Sequence, residues 1–285
     1  MTEARERRGV FGEVTDAYEA ARPGYPSALV DDVLDYARLD GAPVVEVGAG
    51  TGKASTAFAA RDIDLVCVEH DARMAEVLAA GCAPYPRTSV VVSGFEQWQP
   101  PAERYGLLFS AQAWHWIDPA TRWTLAFEAL RPGAAIALFW NQYQVRDPQA
   151  RAALVAAHQR HGAAELSPAT LGSADREPLD RYNQQPLPEL LADDRYRDAE
   201  FRYYRSEYSY TGSRYQDLLA SLSAYRLLPR AARGASRRCR PGGGHPRRHS
   251  RTRGRHQPPP RPHPKRVAAA NSRPAPAPAA AAVCG

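Results

Sequence analysis

Apolar positions recur along the chain in two alternating rhythms. Leu29, Val30, Val33, Leu34 and Ala37 fall at helical spacing, which predicts a helix over Ser27–Leu39 with Tyr25-Pro26 as its start signal. Pro43–Val47, Asp64–Val68, Thr88–Val92, Leu107–Ala111 and Ala134–Trp140 are short, mostly continuous apolar runs. Such runs predict strands covered on both faces. Between them the spacing predicts helices from the glycines near Gly52 to about Ala60, over Ala72–Ala80 and over Pro119–Leu130. Strands alternating with helices predict an α/β fold with a doubly wound, mostly parallel sheet. After Asn141 the rhythm loosens. Helices are expected over Gln149–His161, Leu187–Arg195 and Tyr215–Leu227, and a Tyr-rich strand over Phe201–Tyr210.

Charge divides the chain. Residues 230–285 hold 13 Arg, 1 Lys and 10 Pro, with no acidic residue and no Phe, Tyr or Trp. That is a charge of +14, against a net +6 for all 285 residues, so residues 1–229 carry −8. A segment without aromatic anchors and with so much like charge buries too little to offset its ordering entropy. The expected folded unit is therefore residues 1–229, with a disordered tail over 230–285. No apolar run reaches the roughly 18 residues of a membrane helix. The first residues, MTEARERRGVFGE, lack the apolar stretch of a secretory signal. Cys67, Cys82, Cys239 and Cys284 form no C-x-x-C pair, so neither a metal site nor a disulfide framework is expected. This usage fits a reducing cytoplasm.

The chemistry concentrates in Val44-Val-Glu-Val-Gly-Ala-Gly-Thr-Gly-Lys53, which sets Glu46, Gly48, Gly50 and Gly52 at alternate positions between a strand and a helix. Glycine permits tight turns and lets a ligand approach the backbone. A P-loop would need glycine where Val47 stands and Ser or Thr where Ala54 stands. A dinucleotide G-x-G-x-x-G would place its last glycine at Lys53. The acidic-x-G-x-G-x-G pattern fits at every position. Glu69 follows the second strand, 17 residues after Gly52, where a carboxylate can accept both ribose hydroxyls. It also stands before Asp71, a helix-capping residue type, so a plain surface role is the alternative.

With these motifs, residues 11–141 resemble the class I S-adenosylmethionine-dependent methyltransferases. They are most similar to the small-molecule branch that includes the ubiquinone/menaquinone and trans-aconitate enzymes. The resemblance implies a Rossmann-like fold with a small helical cap, about residues 146–198, and S-adenosyl-L-methionine as cofactor. It places Glu46, Gly48, Ala49, Gly50 and Gly52 around the methionine part, with Glu46 orienting the ammonium. It puts Glu69 on the ribose, His70 and Met74 near the adenine, and Phe95 and Glu96 at the adenine edge. Gly94 stands where the family often has Asp, which weakens a side-chain contact to the adenine amino group. Ser110-Ala-Gln-Ala-Trp-His-Trp116 is similar to the family's S-x-x-x-x-H-W stretch, which brings Ser110 and Gln112 to the cofactor. Tyr105-Gly106 replaces the usual aromatic-Asp pair, and the N-P-P-Y tetrapeptide of nucleobase amino methylation is absent. The Tyr18-x-x-x-Arg22-Pro-Gly-Tyr25-Pro26 segment matches the family's entry segment, which implies site roles for Tyr18 and Arg22.

His115 has the ordinary pKa of a general base for an acceptor, and the competing role is packing beside Trp114 and Trp116. The expected partner is a small-molecule methyl acceptor, with no membrane and no specific nucleic acid. The arginine-rich tail would attract phosphates, but it lacks aromatic interleaving. The other alternative is a methyltransferase-like chain that binds cofactor without turnover. With 35 Arg to 2 Lys, the gene is expected to be GC-rich, and residues 230–285 read as an out-of-frame translation of it. No β-branched run after residue 229 supplies the family's final antiparallel strand, which is expected to be missing.

Overall fold

The computed structural model describes residues 22–100, 104–160, 171, 187–222 and 279–284. Helix α1 (Ser27–Ala37) buries Leu29, Val30, Val33 and Ala37. It stops where Arg38 turns left-handed, φ 48°, and donates its N–H to the Leu34 carbonyl. Then follow β1 (Val44–Val47), α2 (Ser55–Ala59), β2 (Leu65–Glu69), α3 (Ala72–Cys82), β3 (Thr88–Val92) and β4 (Tyr105–Ala111). A 3-10 turn, Trp114–Trp116, leads to α4 (Arg122–Ala129) and β5 (Leu130–Phe139). Beyond lie α5 (Pro148–Arg160), α6 (Leu187–Ala192), β6 (Arg197–Tyr203), α7 (Gly212–Ser221) and β7 (Ala279–Cys284). Residues 161–170 and 172–186 of the expected cap, and Tyr18 of the entry segment, lie outside the described residues.

The sheet order is β3-β2-β1-β4-β5-β7-β6, and every pairing is parallel. Parallel strands are buried on both faces, and the inner strands alternate accordingly. Leu107 and Phe109 pack on one side with Phe58, Leu29 and Leu78. Leu108 packs on the other with Ile136, Trp114 and Trp123. Phe58 stacks on Phe109 at 4.0 Å between ring centroids, which fixes α2 against β4.

Among the described residues no antiparallel strand closes the sheet, but the position beside β5 is occupied. Ala279–Cys284, from the segment expected to be disordered, fills it between β5 and β6, and it runs parallel rather than antiparallel. Two flanking strands offer open backbone edges, and ladder hydrogen bonds need no β-branched side chain. The remaining residues of 230–285 lie outside the described residues. The Tyr-rich strand starts and ends earlier than Phe201–Tyr210, at Arg197–Tyr203. There, Tyr36 donates to the Asp198 carbonyl at 2.6 Å, and Arg202 pairs with Asp32 of α1 at 2.9 Å. These ties to α1 set the strand's position. Hydrogen exchange tests β7: the amides of Ala280–Ala282 are expected to exchange slowly, and exchange at unfolded-chain rates would remove the strand.

Candidate functional site

The carboxyl ends of β1, β2, β4 and β5 meet at one edge of the sheet, where an open parallel sheet forms its ligand crevice. The glycine loop follows β1. Gly48, Gly50 and Gly52 have φ of +72°, +59° and +93°. The three differ in what surrounds them. A Cβ on Gly48 would lie 2.4 Å from Ala113 Cβ, and one on Gly52 2.9 Å from Leu78 Cδ1. Among the described residues, a Cβ on Gly50 would meet only Met74 Cε, at 3.7 Å. So Gly48 and Gly52 are close-packing glycines, and Gly50 has no close contact among these residues. Ala49 and Met74 are buried beside it.

Two buried carboxyl groups flank this loop. Glu69 is 3% exposed. Its Oε2 accepts from the Gly50 N–H at 2.7 Å, and its Oε1 from the Asp71 N–H and from His70 Nδ1, each at 2.9 Å. Asp71 caps α3 by accepting from the Arg73 N–H at 3.0 Å. Capping and the inward carboxylate therefore coexist on neighbouring residues. Glu46 is 1% exposed and accepts from Ser55 Oγ at 2.5 Å. Burial pushes its pKa up to about 8, the Ser55 hydrogen bond opposes this, and the nearby Cys82 and Glu69 add to it.

That shift has a consequence for stability. Between the unfolded carboxyl pKa and about 8, the native chain binds a proton at Glu46 that the unfolded chain has released. Stability from this group is thus present at acidic pH and lost as pH rises through the window, with a slope approaching about 1.4 kcal/mol per pH unit. Glu46→Gln is expected to flatten the denaturation midpoint against pH between 5 and 8. An unchanged slope would place the proton elsewhere.

The other expected site residues divide between crevice and core. Ser110 is fully buried, and its hydroxyl donates to the Val47 carbonyl at 2.8 Å, so it joins β4 to β1 instead of facing the crevice. Phe95 is a core residue packed near Trp98 and Trp114. Glu96 accepts from the Asp118 N–H at 3.1 Å and links the loop after β3 to the loop after the 3-10 turn. Gln112 has φ +60°, a left-handed conformation rare for its residue type, and donates Nε2–H to the Asn141 carbonyl at 3.0 Å. Arg22 donates to Ser221 Oγ at 3.2 Å and to the Ser221 carbonyl at 2.8 Å. It thereby joins the entry segment to α7. Asn141 Nδ2 holds the same segment through the Pro23 carbonyl, at 3.3 Å.

Trp114 is buried within the core, while the neighbouring His115 is exposed. Its Nδ1 accepts the indole N–H of Trp140 at 3.4 Å. Crowding by protein, then the positive charges of Arg122 and Arg22, push its pKa down to about 4. The group that holds this turn belongs to none of the sequence motifs. Arg122 is 2% exposed, donates to the Trp114 carbonyl at 3.2 Å, and pairs with Glu189 of α6. Trp123 donates to the same Glu189 oxygen at 2.7 Å. The signal was available: Arg122 stands with Ala126 and Ala129 on the buried face of α4.

A sequence family described as a methyltransferase domain matches residues 44–133. The chain is 36% identical over 131 residues to an uncharacterized methyltransferase of Mycobacterium bovis, covering 46% of this chain and 51% of that one. It is 28% identical over 143 residues to an uncharacterized methyltransferase-like protein of Schizosaccharomyces pombe, covering 50% of this chain and 54% of that one. The chain thus spans about half the length of the curated relatives it matches. The CcbJ methyltransferase from Streptomyces caelestis aligns in structure with 24% identity and a TM-score of 0.36, over 42% of this chain and 53% of that one. Among the described residues, no helix is long and apolar enough to cross a membrane. The glycine loop and the strands β1 to β4 that surround it thus lie within the residues, 44–133, that match a methyltransferase domain.

Proposed function

We propose that the protein transfers the methyl group of S-adenosyl-L-methionine to a small-molecule acceptor. The observation that carries this reading is the pair of buried carboxyls, Glu46 and Glu69, on either side of a glycine loop whose central member, Gly50, has no close contact among the described residues. A carboxylate has about four acceptor sites, so Glu69, with three donors in place, keeps one for a ribose hydroxyl. An arriving methionine ammonium would favour the ionised form of Glu46. The buried Thr51 hydroxyl, which has no hydrogen-bond partner in the loop, is a further polar atom there for a ligand to meet.

When bound, the cofactor supplies an electrophilic sulfonium methyl and leaves as a neutral thioether. The chain's own residues then have to bind, align and exclude water. Glu69 would hold the ribose edge while its link to the Gly50 N–H keeps the loop in place. Trp116, Trp140 and Tyr143, all part-exposed near the ends of β4 and β5, fit an aromatic, mostly apolar acceptor wall. The free thiols of Cys67 and Cys82 fit residence in a reducing compartment such as the cytoplasm.

Calorimetry with S-adenosylmethionine tests the reading. Gly50→Val is expected to abolish binding while circular dichroism shows the fold retained. Glu69→Ala is expected to weaken binding by about 1–3 kcal/mol, the worth of a hydrogen bond to a charged group. Unchanged affinity in both variants would sink the assignment. A chain that binds the cofactor but shows no turnover on a metabolite panel would support the binding-only alternative.

A further inference from the structure

We propose that His115 is a positioning residue whose Nε2–H donates to an acceptor oxygen that is already ionised, and that it is not a base. This deepens the methyl-transfer reading and rests on it for the identity of the site. The geometry begins with Trp140. An indole nitrogen can only donate, so the contact from Trp140 Nε1 to His115 Nδ1 makes Nδ1 the acceptor. In a neutral imidazole the single proton then sits on Nε2. The ring remains neutral at physiological pH, because protein crowding and the charges of Arg122, on α4, and Arg22, on the entry segment, disfavour the imidazolium. His115 is exposed and therefore presents this donor to solvent, in the turn that follows β4.

A donor selects among nucleophiles. An amine has one lone pair, and a hydrogen bond from His115 would occupy the pair that must attack. A carboxylate or phenolate oxygen has pairs to spare. One can take the Nε2–H while another forms the new O–C bond. The electron pair of the breaking C–S bond stays on sulfur, and no proton has to be removed. An acceptor ionised in solution thus needs no general base.

Long-range ¹H–¹⁵N correlation on the full-length, ¹⁵N-histidine-labelled chain reads the tautomer directly, with His115→Gln identifying the signal. The neutral Nε2–H form is expected at neutral pH, and Trp140→Phe is expected to shift the tautomer balance. An Nδ1–H form or an imidazolium would overturn the proposal. Binding of simple probes follows on the same spectra. Benzoate, or 4-nitrophenolate at mildly alkaline pH, is expected to shift the His115 signals saturably. The stronger of the two tells a carboxylate from a phenolate acceptor. His115→Phe is expected to weaken that probe about tenfold or more, and His115→Gln, which keeps an N–H donor, to retain most of the affinity. Benzylamine binding as well as the anions, or an unchanged affinity in His115→Phe, would refute it. No arm uses S-adenosylmethionine, so failure here is distinguishable from failure of the methyl-transfer reading.

Discussion

Gly48→Ala is expected to destabilise the protein by about 2–5 kcal/mol, combining a left-handed backbone penalty with overpacking. The added Cβ would sit 2.4 Å from Ala113 Cβ, an atom fixed to the backbone of the segment that follows β4. No side-chain rotation relieves that contact. Gly50→Ala provides the control, since its backbone is also left-handed but its Cβ meets only the flexible end of Met74 at 3.7 Å. It is expected to cost only the backbone part, about 1–2 kcal/mol. Urea denaturation of both variants measures the difference. Equal losses would show that the segment after β4 gives way, and that Gly48 is needed only for its φ.

The second large effect concerns Arg122. Arg122→Met is expected to cost about 2–4 kcal/mol, somewhat under the full penalty for breaking a buried pair because Glu189 keeps 24% exposure. Among the described residues, the substitution leaves the Glu189 carboxylate with only the Trp123 indole N–H, and it takes the donor from the Trp114 carbonyl. The double variant Arg122→Met, Glu189→Leu should recover part of the loss, because it removes the stranded charge. A single variant as stable as the parent would mean that the pair holds nothing in place. Thermal unfolding followed at the tryptophan fluorescence band checks both.

Much of the fold could be read from the residues because the central strands carry their burial in their own sequence. Val44–Val47 and Leu107–Ala111 are apolar except at Glu46 and Ser110, and they lie in the middle of the sheet. The glycine loop was equally readable, since three alternate glycines after an acidic residue leave few other conformations. Long-range placement was harder. Ser110 looked like a crevice residue by position, but its hydroxyl turned inward to Val47, 63 residues away in sequence. The reach of the Arg22 guanidinium to Ser221, in α7, had no local signature either. The six-residue strand at Ala279–Cys284 has almost no strand propensity of its own. Only the two open edges beside it give it a conformation, and open edges are not visible in a local sequence window. Ser55 as partner to Glu46 likewise had no local signature.

The Arg22–Ser221 contact joins positions 199 residues apart. Its other neighbours extend the connection, because the charge of Arg22 acts on His115 and Asn141 holds the adjoining Pro23 carbonyl. Thermodynamic linkage makes such a connection two-way. Whatever free energy a ligand gains by ordering the entry segment must reappear as added resistance of α7 to local opening. A change that loosens α7 must weaken that ligand by the same amount. Affinity at the crevice is therefore partly set at Ser221, by a residue that touches neither cofactor loop nor acceptor wall.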